Sequence, residues 1–126
     1  MSQQSSSRSV ALVVEDEPLI AMEAVNILED DGFTVLEAWN AESALALLEK
    51  NGPVGLLFTD VHMPGAMNGY ALARAVKARW PETVVVICSG HIKPGTSDMP
   101  EGARFIDKPF TSQLVLDTIR EMSGDR

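Results

Sequence analysis

The chain has little cysteine, little positive charge and no long apolar run, and each shortage excludes a class of protein. Cys88 is the only cysteine among 126 residues, so no disulfide framework can form within the chain. Lysine and arginine number 10 against 18 aspartates and glutamates, and they are scattered, which disfavours nucleic-acid binding. No apolar stretch approaches the roughly 18 residues that a membrane-spanning helix needs. We therefore expect a cytoplasmic protein with neither nucleic acid nor membrane as a partner.

Length and composition indicate one globular domain. With 45% hydrophobic and 22% charged residues, the chain has the make-up of an ordinary folded protein. The first eight residues are rich in serine and glutamine and lack an apolar signal segment, which predicts a short disordered tail over residues 1–8. We expect one folded domain over residues 9–123, a tail over residues 124–126 and no output domain in the chain.

Apolar runs alternate with helical patterns along most of the sequence. Pro18, Asn40 and Thr111 stand where helices can begin, and the last helix is expected to bury Leu114 and Val115. Strands that alternate with helices predict parallel pairing with right-handed crossovers, a doubly wound α/β fold. Five runs predict strands, beginning near residues 10, 34, 55, 83 and 104.

The alternation fails between the fourth and fifth strands. Residues 91–103 contain two prolines and two glycines and almost no apolar periodicity. Such a composition does not support a helix of about three turns. We predict that the fourth crossover helix is degenerate or missing, and that residues 91–102 are the most mobile part of the folded domain.

Carboxylates follow the first and third predicted strands. Glu15, Asp16 and Glu17 come directly after one apolar run, and Asp60 comes directly after another. The carboxyl ends of parallel strands meet at one edge of the sheet, where doubly wound folds bind their ligands. Clustered carboxylates repel one another, and Mg²⁺, which prefers oxygen ligands, would offset that cost. The sequence therefore predicts a Mg²⁺ site and, through the metal, phosphate chemistry.

Two further residues complete a set suited to phosphoryl transfer. Ser89 ends the fourth strand and Lys108 ends the fifth, so both belong to the edge that holds the acids. Phosphoryl transfer needs a nucleophile, metal ligands, a hydrogen-bond donor and a counter-charge, because its catalysis is mostly positioning and neutralisation. Each residue alone has an ordinary explanation, as a helix cap or a solvated lysine. Their combination favours a functional site.

In this combination the chain resembles the receiver domains of two-component response regulators and is similar to the single-domain chemotaxis regulator. The resemblance covers about residues 9–123 and rests on four segments, at residues 13–18, 59–64, 88–90 and 107–110. It implies a flavodoxin-like, five-stranded parallel sheet in the order 2-1-3-4-5. It also implies a phospho-accepting switch that is not an enzyme for other substrates. The expected partners are a histidine kinase or histidine phosphotransfer protein and an unknown downstream protein, with the domain a monomer or weak dimer.

The resemblance gives the acidic residues and the lysine distinct roles. Asp60 takes the phosphoryl group from a phosphohistidine and forms an acyl phosphate. Asp16 and Asp60 bind Mg²⁺ directly, Glu15 acts through a metal-bound water, and His62 contributes its backbone carbonyl. Lys108 pairs with Asp60 before the reaction and with the phosphoryl oxygens after it.

The resemblance also implies how the phosphate is sensed and lost. Ser89 donates its hydroxyl to a phosphoryl oxygen, and Phe105 is the aromatic switch that turns inward when Ser89 moves. His62 and His91 flank the approach of the attacking water and would modulate dephosphorylation. The Lys108–Pro109 peptide bond is expected to be cis.

The sequence departs from the family in two ways, in the spacing after Asp60 and in the loss of the fourth helix, and several alternatives stay open. Nine positions lead from Asp60 to Gly69, one more than the usual family spacing, so the loop beside the metal is expected to differ in shape. The domain could act instead as a phosphate sink or relay, or as a pseudo-receiver that binds a partner constitutively. A phosphatase with an aspartyl nucleophile would need a second acid where His62 stands. A flavodoxin-like electron carrier would need a Ser/Thr/Gly-rich phosphate loop after the first strand.

Overall fold

The computed structural model describes residues 9–90 and 99–123, which form one layered α/β domain. Five strands make a single parallel sheet in the order β2-β1-β3-β4-β5, which confirms the predicted fold and strand order. No helix among the described residues is long and apolar enough to cross a membrane. The elements are β1 (Val10–Val14), α1 (Pro18–Asp30), β2 (Thr34–Ala38), α2 (Ala41–Asn51), β3 (Leu56–Asp60), α3 (Gly69–Arg79), β4 (Val84–Ser89), β5 (Arg104–Asp107) and α4 (Ser112–Ser123).

The helices begin where their capping residues predict. Pro18 is the first residue of α1, where its missing N–H group costs nothing. Asn40 accepts a hydrogen bond of 2.8 Å from the Ser43 amide, and the Ser43 hydroxyl accepts one of 3.4 Å from the Asn40 amide, so the two form a capping box on α2. Asn68 caps α3 at 2.9 Å and Thr111 caps α4 at 3.1 Å, each accepting from the amide three residues on.

The crossover from β4 to β5 lacks a helix in the part that the structure describes. Residues 99–103 form a bend and a turn, and the described chain holds four helices in all. This confirms the predicted loss of the fourth crossover helix for the residues that are described. Residues 91–98, including His91, lie outside them, as do both predicted tails, so the expectations for those segments stay predictions.

The sheet separates two apolar cores. Helices α2 and α3 pack on one face, around Leu12, Leu57 and Val85, while α1 and α4 pack on the other, around Val13 and Phe58. The strands are therefore buried on both faces, as the near-continuous apolar runs predicted. A polar side chain can therefore reach solvent only at the end of such a strand, and this restricts a functional site to the edges of the sheet.

The expectation that Leu114 is buried was wrong. Val115 and Ile119 form the buried stripe of α4, being four residues apart and therefore on the same helix face. Leu114 precedes that stripe by one position, which rotates it by about 100° around the helix. Its side chain is 44% exposed.

Candidate functional site

Three carboxylates converge at the carboxyl edge of the sheet. Glu15 and Asp16 follow β1, Asp60 ends β3, and the two strands are neighbours in parallel register. Carboxylate oxygens of the three residues lie within 4.8 Å of one another. Glu15 and Asp60 are buried, at 4% and 7% exposure, while Asp16 is exposed. The predicted acidic cluster is therefore present, with two of its members largely removed from water.

Lys108 connects two of these acids from the end of β5. Its Nζ lies 3.0 Å from Oε1 of Glu15 and 3.2 Å from Oδ2 of Asp60. The pairing with Asp60 was predicted, and the pairing with Glu15 was not. Because the lysine side chain is only 15% exposed, one partly buried cation neutralises part of the charge of two buried anions.

The surroundings shift two pKa values in this cluster. Burial raises the pKa of the Glu15 carboxyl above its ordinary value against the hydrogen bond from Lys108, and the charge of Asp60 raises it further. Burial alone would lower the pKa of Lys108, but the hydrogen bond to Glu15 and the charge of Asp60 outweigh it and raise that pKa. The lysine therefore stays charged at neutral pH, and the site still carries an excess of negative charge.

The backbone fixes the carboxylate of Asp60. Its Oδ1 accepts a hydrogen bond of 2.7 Å from the amide of Val61, while Oδ2 faces Lys108. The same Val61 amide lies 3.3 Å from the carbonyl oxygen of Cys88, which ties the end of β3 to β4. Both oxygens of the Asp60 carboxylate thus have fixed partners, which orients the group before any ligand binds.

The donor set fits a small divalent cation. Mg²⁺ binds oxygen ligands at about 2.0–2.1 Å and commonly keeps several waters. Oxygens of Glu15, Asp16 and Asp60 that lie within 4.8 Å of one another can share such an ion, directly or through its waters. The excess negative charge around Lys108 favours the same occupant.

A cleft of about 490 Å³ opens over the acidic cluster. Asp60 lines this cleft, and exposed His62 lies on its wall. Glu23, on α1, also lines this cleft and was not anticipated; its spacing of three residues from Ile20 on a helix is the signal that could have placed it there. The lining residues are Asp16, Glu17, Ile20, Glu23, Asp60, His62, Gly90, Lys108, Pro109 and Phe110.

The other predicted site residues lie near this edge of the sheet. Ser89 ends β4 with 2% exposure, and its carbonyl oxygen accepts a hydrogen bond of 3.1 Å from the amide of Lys108. Phe105 lies in β5, beside Ile87 in register, and is half-buried against the core on the α2–α3 side. The Lys108–Pro109 bond is cis, as expected. His91 lies outside the described residues.

Gly69, the first residue of α3, lies beside the site. A Cβ on this residue would overlap the carbonyl oxygen of Asp60 and stand 2.9 Å from Cα of Val61. A glycine directly after a helix-capping asparagine is the signal that could have drawn attention to it. Its position places the start of α3 directly against the backbone at the end of β3.

Comparison with known proteins agrees with this geometry. The family model of the response regulator receiver domain matches residues 11–120. The nitrogen assimilation regulatory protein NtrX of Azorhizobium caulinodans is 37% identical over 116 residues, which cover 88% of this chain and 25% of NtrX. The sensor kinase CckA of Brucella abortus is 32% identical over 121 residues, which cover 93% of this chain and 13% of the kinase. The chain thus spans about a quarter or less of these curated relatives.

Solved structures show the same fold. The receiver domain of NtrX from Brucella abortus superposes with a TM-score of 0.80 at 34% identity, covering 92% of this chain and 99% of that one. The receiver domain of the hybrid histidine kinase CckA gives a TM-score of 0.76 at 30% identity, covering 90% and 98%. The family match, these relatives and the acidic site agree, and the chain therefore belongs to the response-regulator receiver domains.

Proposed function

We propose that this domain takes a phosphoryl group from a phosphohistidine onto Asp60 and that the aspartyl phosphate switches the binding of a partner. The observation that carries the proposal is the Asp60 carboxylate, held by the Val61 amide at 2.7 Å and by Lys108 at 3.2 Å, at the base of an open cleft. An acid with a fixed orientation and an adjacent cation is suited to nucleophilic attack on phosphorus.

The transfer is a nucleophilic displacement at phosphorus. A carboxylate oxygen of Asp60 bonds to phosphorus while the bond from phosphorus to the donor imidazole nitrogen breaks, and its electron pair stays on the imidazole. Lys108 then pairs with the phosphoryl oxygens, which carry more negative charge than the carboxylate did. The domain thereby catalyses its own phosphorylation and dephosphorylation and is not an enzyme for other substrates.

Glu15, Asp16 and Asp60 would hold Mg²⁺, with the backbone carbonyl of His62 as a further expected ligand. When bound, the metal would neutralise charge on the phosphoryl oxygens. The protein residues provide the remaining requirements. Asp16 faces solvent, so it can receive the hydrated ion, whereas buried Glu15 is already paired with Lys108 at 3.0 Å and can act through a water.

Ser89 and Phe105 would transmit the phosphorylated state. Ser89 donates its hydroxyl to a phosphoryl oxygen, and its carbonyl is bound by the Lys108 amide at 3.1 Å. A shift of Ser89 toward the phosphate therefore pulls on the end of β5, the strand in which Phe105 lies half-buried. A half-buried ring has room for an inward and an outward position, which a fully packed ring would lack.

Exposed apolar side chains beside the cleft favour a protein as the phosphodonor. Leu19 and Met22, on α1, are 74% and 53% exposed, and their neighbours Ile20 and Glu23 line the cleft. Leu114 is exposed near the start of α4, which packs beside α1. A histidine kinase or a histidine phosphotransfer protein could cover such a surface while its histidine reaches Asp60, whereas a small donor could not.

Intact mass spectrometry after incubation with Mg²⁺ and a small acyl phosphate tests the proposal. The wild type should gain the mass of one phosphoryl group, and Asp60→Asn should gain none. Asp117→Asn, which changes an exposed acid on α4 outside the cleft, is the matched control and should keep the adduct.

Other outcomes of this experiment would overturn the proposal. Consumption of the acyl phosphate without an adduct would point to a phosphatase. Neither adduct nor consumption in the wild type would favour a pseudo-receiver that binds its partner constitutively. A phosphate sink or relay shares the adduct and differs in the fate of the phosphoryl group, since a relay passes the group to a second histidine protein.

A further inference from the structure

The end of β3 and the start of α3 are in direct contact at Gly69. A Cβ on this residue would overlap the carbonyl oxygen of Asp60, and it would stand 2.8 Å from the carbonyl carbon of Asp60 and 2.9 Å from Cα of Val61. The Gly69 amide donates a hydrogen bond of 2.9 Å to the carbonyl oxygen of Val61. No L-residue with a side chain fits here unless β3 and α3 separate.

This contact falls on the peptide unit that orients the acceptor. The carbonyl of Asp60 and the amide of Val61 belong to one planar group, whose atoms rotate together. Gly69 lies against the oxygen of that group, and the N–H of the same group donates to Oδ1 of Asp60 at 2.7 Å. A side chain that displaces the carbonyl must therefore also turn the amide that holds the carboxylate.

The same contact keeps Asp60 in place when the loop that leads to α3 changes in length. The hydrogen bond from Gly69 to Val61 closes the loop at its base, so a change in loop length need not reach Asp60. Within the loop, Gly65 has a φ of +107°, and a Cβ there would stand 2.7 Å from Oε1 of Glu42. A side chain at Gly65 would thus be excluded by the backbone conformation and by Glu42, and not by Asp60.

We propose that Gly69 is a positioning residue for the acceptor carboxylate and the metal site. It acts through the Asp60–Val61 peptide and does not touch the phosphoryl group. The role of Gly69 in phosphorylation rests on the proposed function. Its role in metal binding does not depend on that function.

The test compares Gly69→Ala with Gly52→Ala. Gly52, at the end of α2, has a φ of +88° with nothing within 4 Å of its added Cβ, so alanine there causes backbone strain without a clash. Calorimetry should show Mg²⁺ affinity reduced by about tenfold or more in Gly69→Ala, in the range for groups that support metal ligands. Gly52→Ala should lose stability but keep wild-type Mg²⁺ affinity. Equal Mg²⁺ affinity in the two folded variants would overturn the proposal.

A second pair of variants covers the case in which Gly69→Ala does not fold. Asn68→Ala removes the cap of α3 without adding atoms against Asp60, and Asn40→Ala removes the matching cap of α2. We expect Asn68→Ala to weaken Mg²⁺ binding by about threefold and Asn40→Ala to leave it unchanged. Equal affinities in this pair would contradict the positioning role. If the wild type forms no phosphoryl adduct but the metal affinities are as expected, the proposed function is rejected and the positioning role of Gly69 in metal binding is retained.

Discussion

The two edges of the sheet differ in the volume of their clefts and in how deeply their charged side chains are buried. The carboxyl edge has the smaller cleft, about 490 Å³, and it contains the acidic cluster and Lys108. The amino edge has a larger one, about 1050 Å³, lined by apolar residues such as Phe33, Trp80 and Met122 together with a few charged ones. The larger cavity is therefore not the one that contains the acidic cluster.

Burial of charge distinguishes the two edges more clearly than volume does. In the Lys108–Glu15 pair the side chains are 15% and 4% exposed. Near the amino edge, the Arg79–Glu49 pair is 48% and 60% exposed, and Arg79 also stacks on Trp80 at 4.4 Å. Exposed pairs are hydrated and contribute little, whereas a buried cluster with excess charge must be balanced by something. That imbalance is what indicates a ligand site.

Chain topology explains the difference. All five strands are parallel, so residues far apart in sequence reach the carboxyl edge together, as Glu15 and Lys108 do across 93 positions. The amino edge receives the ends of the helices instead. There Gly32 and Gly52 adopt positive φ values that end α1 and α2, and the connections are short turns.

The largest expected effect comes from removing the cation that Glu15 and Asp60 share. In the presence of a chelator, Lys108→Met should lower the free energy of unfolding by about 3 kcal/mol, because Glu15 and Asp60 would lose their shared partner. Arg120→Met breaks the exposed Arg120–Asp31 pair and should cost less than about 1 kcal/mol. Urea unfolding of both variants measures the difference. Similar losses would mean that the two edges do not differ in the way described.

Stabilisation of the domain by Mg²⁺ should depend on acids at the carboxyl edge and not on acids at the amino edge. At ten times its dissociation constant, Mg²⁺ should raise the free energy of unfolding by about 1.4 kcal/mol. The gain should disappear in Asp16→Ala and persist in Glu82→Ala, which removes an acid that lines the amino-edge cleft. With chelator present, Asp16→Ala should be at least as stable as the wild type, since it removes one of the clustered carboxylates. Unchanged Mg²⁺ affinity in Asp16→Ala, measured by calorimetry, would contradict the proposed ligand set.

Much of this site could be predicted from the sequence, because strand ends are local features. Apolar runs that stop at Asp60 or Ser89 show where a strand ends, and parallel pairing then brings those residues together. The Lys108–Glu15 contact could not be predicted in this way, because the sequence does not determine which of several nearby carboxylates a flexible lysine side chain contacts.

The remaining features depend on three-dimensional packing. Gly69 matters because the start of α3 lies against Asp60, and no sequence period reports the distance between a helix and a strand. Leu114 was misassigned because apolar character alone does not determine which face of α4 meets the sheet, a choice set by the neighbouring stripe of Val115 and Ile119.

A smaller effect concerns the dependence of stability on pH. The raised pKa of Glu15 means that the folded state binds a proton more readily than the unfolded chain just above the ordinary value of 4.5. The contribution of Glu15 to the stability of the metal-free wild type should therefore fall as pH rises through that window, whereas Glu15→Gln lacks this contribution. The stability of Glu15→Gln relative to the wild type should increase from about pH 4.5 toward neutrality. Unfolding curves in chelator across this range measure it, and a constant difference would contradict it.

The smallest expected effect is on the lifetime of the aspartyl phosphate. Water that hydrolyses it must approach phosphorus opposite Asp60, through the cleft that exposed His62 helps to line. The imidazole of His62 can orient that water, so its removal should slow the loss of the phosphate by about threefold. Decay rates of the wild type, His62→Ala and His91→Ala at one pH test this. Equal rates in all three proteins would mean that neither histidine takes part.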